Sequence, residues 1–473
     1  MGYKILNHHL MLILLIQLSL WVTIINGRFI PGPRSGHTAI LIGDKIYFIG
    51  GYNFSIISKE SDIFYYNGIA WVDLNNQVSG QGADMPLKFG HTANVGGRKQ
   101  DLIFFIGGDQ LPLIYQLDTK TNKITSSVIL GAFPNRDSLN FMSSVFYEGI
   151  IYLFGGGEMD IETDITTLYN NHYIFDTINL NWQEGGLINA PPPRYKHTAT
   201  LANGIIYYIG GIQINNSYVS YTSMSDIYRY NTVSNKWSLE VATLAPGNTP
   251  GPRLGHSAAL VENKICIFGG SYNNLSPIES IAMLNTSTLE WSIPHFNNPR
   301  RPNMPTLPNL VYHTATLVDK RMLVAFGNDT DNPVNGYRGL NKNFYIFDFN
   351  NNEWYITTAD ELTDPSSNIP KLFSSSTSAG ISSNTSTIIG LSVGIPLVVL
   401  AIIGTLIFVY YKRKKNQSKG DVGYLADDSN ISYDKFSFSQ RSTLYSSQPS
   451  MQCQFTYQQF TPEQCISNIN NLT

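Results

Sequence analysis

Residues 252–291 read PRLGHSAALVENKICIFGGSYNNLSPIESIAMLNTSTLEW. Four short strands are legible: HSAAL, KICIFGG, SIAML and a last one entered by Trp291. Each is a run of apolar, β-branched or aromatic residues bounded by Gly, Asn, Ser or Pro, the residues that punctuate strands. A sheet of this kind cannot bury both faces alone. It needs copies of itself.

The chain supplies them. Aligned on His and a Gly pair, His37 goes with Gly50-Gly51, His91 with Gly107-Gly108, His197 with Gly210-Gly211 and His256 with Gly269-Gly270. A third unit keeps Gly155-Gly156 with Met142 in the His position, and a sixth sets His313 with Gly327-Asn328. A Trp closes five units, at Trp71, Trp182, Trp237, Trp291 and Trp354, and Ile124 closes the second. Seven residues before this position stands Leu117, Phe175, Tyr230, Leu284 or Phe347; in the first unit Tyr66 is five away. Five of the six tryptophans in the chain share this one register.

A strand ending in Gly-Gly, a further strand and then a Trp resembles the kelch repeat, over residues 31–356. The resemblance implies an all-β, six-bladed kelch β-propeller, six blades being favoured over seven, with four antiparallel strands per blade around a central channel. The residue physics agrees: Gly at a strand end admits a close backbone, and Trp is a large apolar plate to wedge between sheets. Ring closure has two solutions at this stage, a terminal strand over 355–362 shared by the first and last blades, or simple abutment.

The flanking segments place this domain. Residues 1–27 have a short charged head, an apolar stretch and Asn26-Gly27, the pattern of a secretory signal peptide. Residues 28–363 are expected to form the propeller. Residues 364–387 are Ser/Thr-rich and expected to be an extended stalk. Residues 388–411 are 24 uncharged, largely apolar residues, enough to span a bilayer as one transmembrane helix. Lys412, Arg413, Lys414 and Lys415 follow, so residues 412–473 are expected to be a disordered cytoplasmic tail and the propeller extracellular or lumenal. This predicts a plasma-membrane or secretory-pathway glycoprotein, with sequons at Asn53, Asn215, Asn274, Asn285, Asn328 and Asn384. Tyr424, Tyr433 and Tyr445 in the tail are candidate phosphorylation sites for recruiting a cytoplasmic adaptor. Cys453 and Cys465 also lie there, leaving Cys266 without an intrachain disulfide partner.

Charged residues are 14% of the chain and the net charge is -3, which provides no basic field for nucleic acid. The His register is read as structural, bonding backbone between blades, because one residue per blade is spread around a ring whereas metal ligands converge. Galactose oxidase also has a kelch-type propeller, and its family needs a Tyr cross-linked to Cys, a second Tyr and two His on copper. Only Cys266 is available, in mid-strand, and no local motif of that enzyme matches; no catalytic residue, metal or cofactor is assigned. The acidic EMDIETD at 158–164 reads as a solvated loop.

Topology points to a binding face. In a four-stranded meander the connections after the second and fourth strands emerge on one side. The long ones are 157–171, 212–225, 271–279, 328–342, 238–252 and 292–312, and all are expected to crowd that face. They offer Asp109, Glu158, Asp160, Tyr218, Tyr221, Tyr272, Asp329, Tyr337 and Arg338 as candidate contacts for an extracellular protein or glycan. The alternatives are a copper enzyme of the galactose oxidase kind and a structural surface or wall-associated protein.

Overall fold

The Ile-Cys-Ile-Phe run at 265–268 is buried on both sides of its strand, and alternation explains how. Cys266 and Phe268 pack with Leu310, Met322 and Phe347 of the following repeat, while Ile265 and Ile267 pack with Tyr207, Ile209 and Ile227 of the preceding one. The computed structural model in which this is seen describes residues 29–373, except 54–57, 60–61, 76, 80–87, 109–113, 127–129, 132–138, 161–164, 216–217, 245–249, 301–306 and 335–336. All described residues fall in one of two compact units, residues 1–377. The expected signal peptide, the span at 388–411, Asn384 and the tail tyrosines lie outside the described residues. Among the described residues no helix is long and apolar enough to cross a membrane.

The described residues are almost entirely β. They form six antiparallel sheets of four principal strands, whose first strands are Thr38–Ile42, Thr92–Gly96, Ser143–Tyr147, Thr198–Ala202, Ser257–Val261 and Thr314–Val318. We number the sheets 1 to 6 in that order. Each second strand, such as Lys45–Ile49 or Ile205–Ile209, is a continuous apolar run with its last four residues buried, as expected where neighbours cover both faces. The spacing noted above is a cross-strand pairing: Leu117 faces Ile124, Phe175 faces Trp182, Tyr230 faces Trp237, Leu284 faces Trp291, Phe347 faces Trp354 and, across a shorter turn, Tyr66 faces Trp71.

The Trp wedges between sheets. Trp237 stands 5.0 Å from Phe154 of sheet 3, and Trp71 of sheet 1 stands 5.2 Å from Phe344 of sheet 6. The glycine doublet admits the next sheet's backbone. Gly51, Gly108, Gly156, Gly211 and Gly270 donate N–H to the carbonyls of Lys88, Leu139, Arg194, Arg253 and Leu310, and Gly327 donates to Arg34, joining sheet 6 to sheet 1. A Cβ on Gly269 would lie 2.2 Å from Leu310 O. The sixth doublet is Phe326-Gly327, one residue earlier than Gly327-Asn328. Phe326 takes the left-handed φ of 59° found at the first glycine of the others, and its ring fills the seam against Phe48, Phe64 and Phe344.

Residues beyond sheet 6 exclude the shared strand, one of the two closures left open, and correct where the expected stalk begins. Glu353–Thr357 belongs to sheet 6 alone, so no strand is shared. Thr358 then caps the short helix Ala359–Thr363 through a capping box with Glu361. The chain crosses to sheet 1, where Ala359 O accepts the Trp71 indole N–H at 2.9 Å and Leu362 O accepts the Tyr66 hydroxyl at 2.8 Å. Ile369 and Leu372 are buried in the same cluster. Residues 364–373, expected to open the stalk, are therefore packed on the sheets, because Ile369, Leu372 and Phe373 find an apolar surface there.

Candidate functional site

One side chain from every repeat turns toward a central cavity of about 210 Å³: His37, His91, Met142, His197, His256 and His313. The residue before each of them, Gly36, Gly90, Phe141, Lys196, Gly255 and Tyr312, has a left-handed φ between 53° and 67°. Their peptide groups form a closed circuit. Gly36 donates N–H to Tyr312 O, Tyr312 to Gly255, Gly255 to Lys196, Lys196 to Phe141, Phe141 to Gly90 and Gly90 back to Gly36, over 2.7–3.1 Å. Sheet 6 and sheet 1 are thereby joined like any other pair.

Below this circuit each His bonds a hydroxyl of the preceding sheet, where backbone was expected; His313 also has a backbone partner, Leu310. Nε2 of His91, His197, His256 and His313 lies 2.6–3.1 Å from Thr38, Ser143, Thr198 and Ser257, and His37 lies 3.0 Å from Thr314. This explains the Thr or Ser that follows His in the repeat. Where Met142 replaces His, Thr92 bonds Ser144 instead. Burial, aided by Lys88 at His91 and by Arg253 and His313 at His256, holds the imidazoles of His91, His256 and His313 down at about 3. Burial first and then Arg34 and Arg194 hold His37 and His197 well below the usual range. The histidines surround one cavity and are less dispersed than a ring implies. Among the described residues no three His, Cys, Asp or Glu side chains are grouped to hold a metal.

Cations recur three residues before the His. Arg34 pairs with Asp62 at 2.9 Å, Lys88 donates to Gly107 O at 2.9 Å and Arg253 donates to Glu279 O at 2.7 Å, all fully buried. Lys196 differs because it sits in the axial circuit. Its ammonium lies 4.6 Å from the Tyr195 ring, 5.2 Å from Phe141 and 5.3 Å from Tyr312, a cation–π cage. Burial works against its charge, but the Tyr312 and Tyr195 hydroxyls outweigh it and raise the ammonium pKa. Phe89 extends the aromatic rim, 5.3 Å from Phe141 and 6.0 Å from Tyr52. Sequence reasoning passed over this mouth; the only signal was the residue type preceding each His and, in the third repeat, Met142: three glycines and three large side chains.

Around it, three expected loops are hairpins, Gly157–Asp160 with Ile165–Leu168, Ile212–Asn215 with Tyr218–Tyr221, and Asn328–Val334 with Tyr337–Leu340, and Tyr52–Asn53 with Ser58–Lys59 forms a further one that was not expected. Each joins the second and third strands of its sheet, so all rise on one face. Of the expected contact residues, Tyr221 and Tyr272 come together, with rings 4.6 Å apart and the Tyr221 hydroxyl accepting Asn273 N–H at 2.9 Å. Glu158 accepts from the Tyr169 hydroxyl at 2.8 Å. The Asp329 carboxylate accepts Asp331 N–H at 2.9 Å. Asp160, Tyr218, Tyr337 and Arg338 are placed on hairpin strands by their backbone, and Asp109 lies outside the described residues. The 238–252 and 292–312 connections do not all crowd the face: Lys236–Val241 is strand, and Thr243–Leu244 and Asn297 run along the rims of sheets 5 and 6. Of the sequons, Asn274 is exposed and Asn285 half-buried, whereas the Asn53 and Asn328 side chains are buried and poorly placed for a glycan. Cys266 is fully buried, which pushes its thiol up to about 12 and makes it a small core residue.

Comparisons with known proteins agree with this geometry. Residues 36–244 match the family model described as the KLHDC2/KLHL20/DRC7 Kelch-repeats domain, and residues 217–389 match that of the Attractin/LZTR1 beta-propeller. The class is a β-propeller built from kelch repeats. The chain belongs to the kelch-repeat family. It is 28% identical over 265 residues to Kelch domain-containing protein 3 of Rattus norvegicus, covering 51% of this chain and 65% of that one. It is 33% identical over 152 residues to the Rho GTPase-activating protein gacHH of Dictyostelium discoideum, covering 31% of this chain and 9% of that one. Acyl-CoA-binding domain-containing protein 5 of Arabidopsis thaliana is 25% identical over 281 residues, covering 56% and 40%. The chain thus spans less than two thirds of the length of each. Kelch propellers are typically non-enzymatic domains that bind proteins.

Proposed function

We propose that this chain is a cell-surface, single-pass protein whose six sheets form a complete, closed propeller and whose hairpin face holds an extracellular protein partner. The observation that carries the reading is the concentration of recognition chemistry on one face: hairpins from several sheets, the Tyr221–Tyr272 pair and the caged Lys196 at the axis. Rigid phenol rings give contact area at low entropic cost. The circuit of backbone bonds through all six repeats supports closure without a seventh blade. The membrane placement rests on residues 1–27 and 388–415, and recruitment of an adaptor on Tyr424, Tyr433 and Tyr445.

The test displays the full chain on cells and probes it with panels of secreted proteins, receptor ectodomains and glycans. A protein hit should lose about tenfold or more in affinity, about 1.4 kcal/mol, on Tyr221→Ala with Tyr272→Ala. A hit that binds this variant as it binds the parent refutes the face. A hit confined to glycans refutes the protein partner. Protease on intact cells that removes only a short C-terminal piece refutes the orientation.

A further inference from the structure

The outer edges of the sheets are treated unequally. A fourth strand at the rim has one side of its backbone unpaired, a site for strand addition unless it is covered. Most rims here are covered by the segment arriving from the preceding sheet. Leu130–Gly131 pairs in parallel with Asn181–Trp182 of sheet 3, and Thr243–Leu244 pairs with Glu290–Trp291 of sheet 5. Single parallel bridges do the same at Ser79 for sheet 2 and at Asn297 for sheet 6. Sheet 1 has an outer strand of three residues, Trp71–Asp73, and receives the Ala359–Thr363 helix through the Trp71 indole.

Sheet 4 is the exception. Its outer strand, Lys236–Val241, is six residues long, and no strand pairs with its free side among the described residues. The segment arriving from sheet 3 begins Gly185-Gly186-Leu187-Ile188. It touches sheet 4 through Gly186 O, which accepts the Trp237 indole N–H at 2.9 Å, and does not continue as a strand. Four large apolar side chains are left in solvent at this rim: Leu187 at 43% exposed, Ile188 at 85%, Leu239 at 48% and Val241 at 68%. None of the sequons falls on either segment.

We propose that this edge pairs with the same edge of a second copy of the chain, in an antiparallel two-fold dimer centred on Ser238. The occupant follows from the side-chain order. A two-fold interface must be self-complementary. Antiparallel pairing about Ser238 sets Lys236 opposite Glu240 of the second copy, and Trp237 opposite Leu239. The Lys–Glu pairs occur twice and share one face of the joint sheet, while Leu239 and Val241 share the other. Moving the centre one residue to Leu239 sets Lys236 opposite Ala242 and Glu240 opposite Ser238, and both charge pairs are lost. Glu240 already bonds Arg229 within its own sheet, so its carboxylate is held in place to receive a second cation.

The test uses the full chain with Cys453→Ser and Cys465→Ser, which removes the tail thiols; Cys266 is buried. Ser238→Cys is added in one version and Val233→Cys, on a more exposed turn of the same sheet, in another. Residues directly opposite in an antiparallel pair lie within disulfide reach. Under mild oxidation of intact cells, Ser238→Cys should give a disulfide-linked species of twice the chain mass, severalfold more abundant than with Val233→Cys. The detergent-solubilised chain should have a two-protomer mass by light scattering, falling to one protomer on Val241→Lys, an exposed position where folding is unaffected. Equal cross-linking at 238 and 233 overturns the proposal. So does a single-chain mass for the parent, a dimer indifferent to Val241→Lys, or capture of a different polypeptide by Ser238→Cys.

Discussion

Acid should loosen the ring of histidines, and the size of the effect can be worked out. In the unfolded chain a His titrates near 6.5, whereas His91, His256 and His313 are held at about 3 when folded. The folded pKa is depressed, so the unfolded chain takes up protons that the folded one refuses. Stability is complete above about pH 6.5 and falls as pH drops from there toward 3. Each such group costs about 1.4 kcal/mol per pH unit inside this window. At pH 5 that is about 2 kcal/mol apiece and about 6 kcal/mol for the three, against a total of about 5–15 kcal/mol for a typical domain. His37 and His197 act in the same direction. Carboxylates such as Asp176 and Asp348, held below their usual range by hydrogen bonds, and at Asp348 by Arg321, matter only at lower pH. The assay is urea unfolding followed by tryptophan fluorescence at steps from pH 7.5 to 5. His256→Gln keeps a group able to reach Thr198 but does not titrate. It should flatten the pH dependence by about 1.4 kcal/mol per pH unit. A parent equally stable at pH 7.5 and 5, or a variant with the parent's slope, would refute the reasoning.

Three further outcomes are expected. Trp237→Ala should lose about 3–5 kcal/mol, since the ring fills the seam between sheets 3 and 4; thermal unfolding indistinguishable from the parent would remove the wedge. Gly269→Ala should lose at least about 2 kcal/mol, because a Cβ meets Leu310 O and the backbone is left-handed. Gly251→Ala, with nothing within 4 Å, is the neutral control. Leu372→Ala should lose about 2–5 kcal/mol, measured by urea midpoint; a loss confined to the noise would mean that residues 364–373 hold nothing.

The repeat was legible because its residues have jobs that only a few side chains can do. Gly50 and its equivalents must admit a carbonyl, Trp must fill a seam, donating its indole N–H at Trp71, Trp237 and Trp291, and His followed by Thr or Ser passes a hydrogen bond from sheet to sheet. What escaped are positions where the backbone dictates and the side chain is free. Phe141, Lys196 and Tyr312 stand in the same left-handed conformation as Gly36, Gly90 and Gly255. Nothing in Phe, Lys or Tyr announces that conformation; the surrounding circuit imposes it. Phe326 escaped for the same reason, and its replacement of a glycine shifted the sixth doublet by one residue. In residues 364–373 the apolar Ile369, Leu372 and Phe373 are separated by Pro370 and Lys371, too sparse a pattern to stand out from a stalk. That the connections after the second strands rise on one face was legible through their lengths. Tyr221 meets Tyr272 because two neighbouring sheets bring their connections together, which no local spacing encodes.

The segment from Ala359 to Phe373 leaves its last strand in sheet 6 and ends against Gly68 of sheet 1. Its point of departure is thus offset by one sheet from the strand that delivers it. Residues 358–373 span the seam between sheets 6 and 1 much as the linkers between successive sheets span the others, and a pull applied at Phe373 is borne by sheet 1 before it reaches sheet 6.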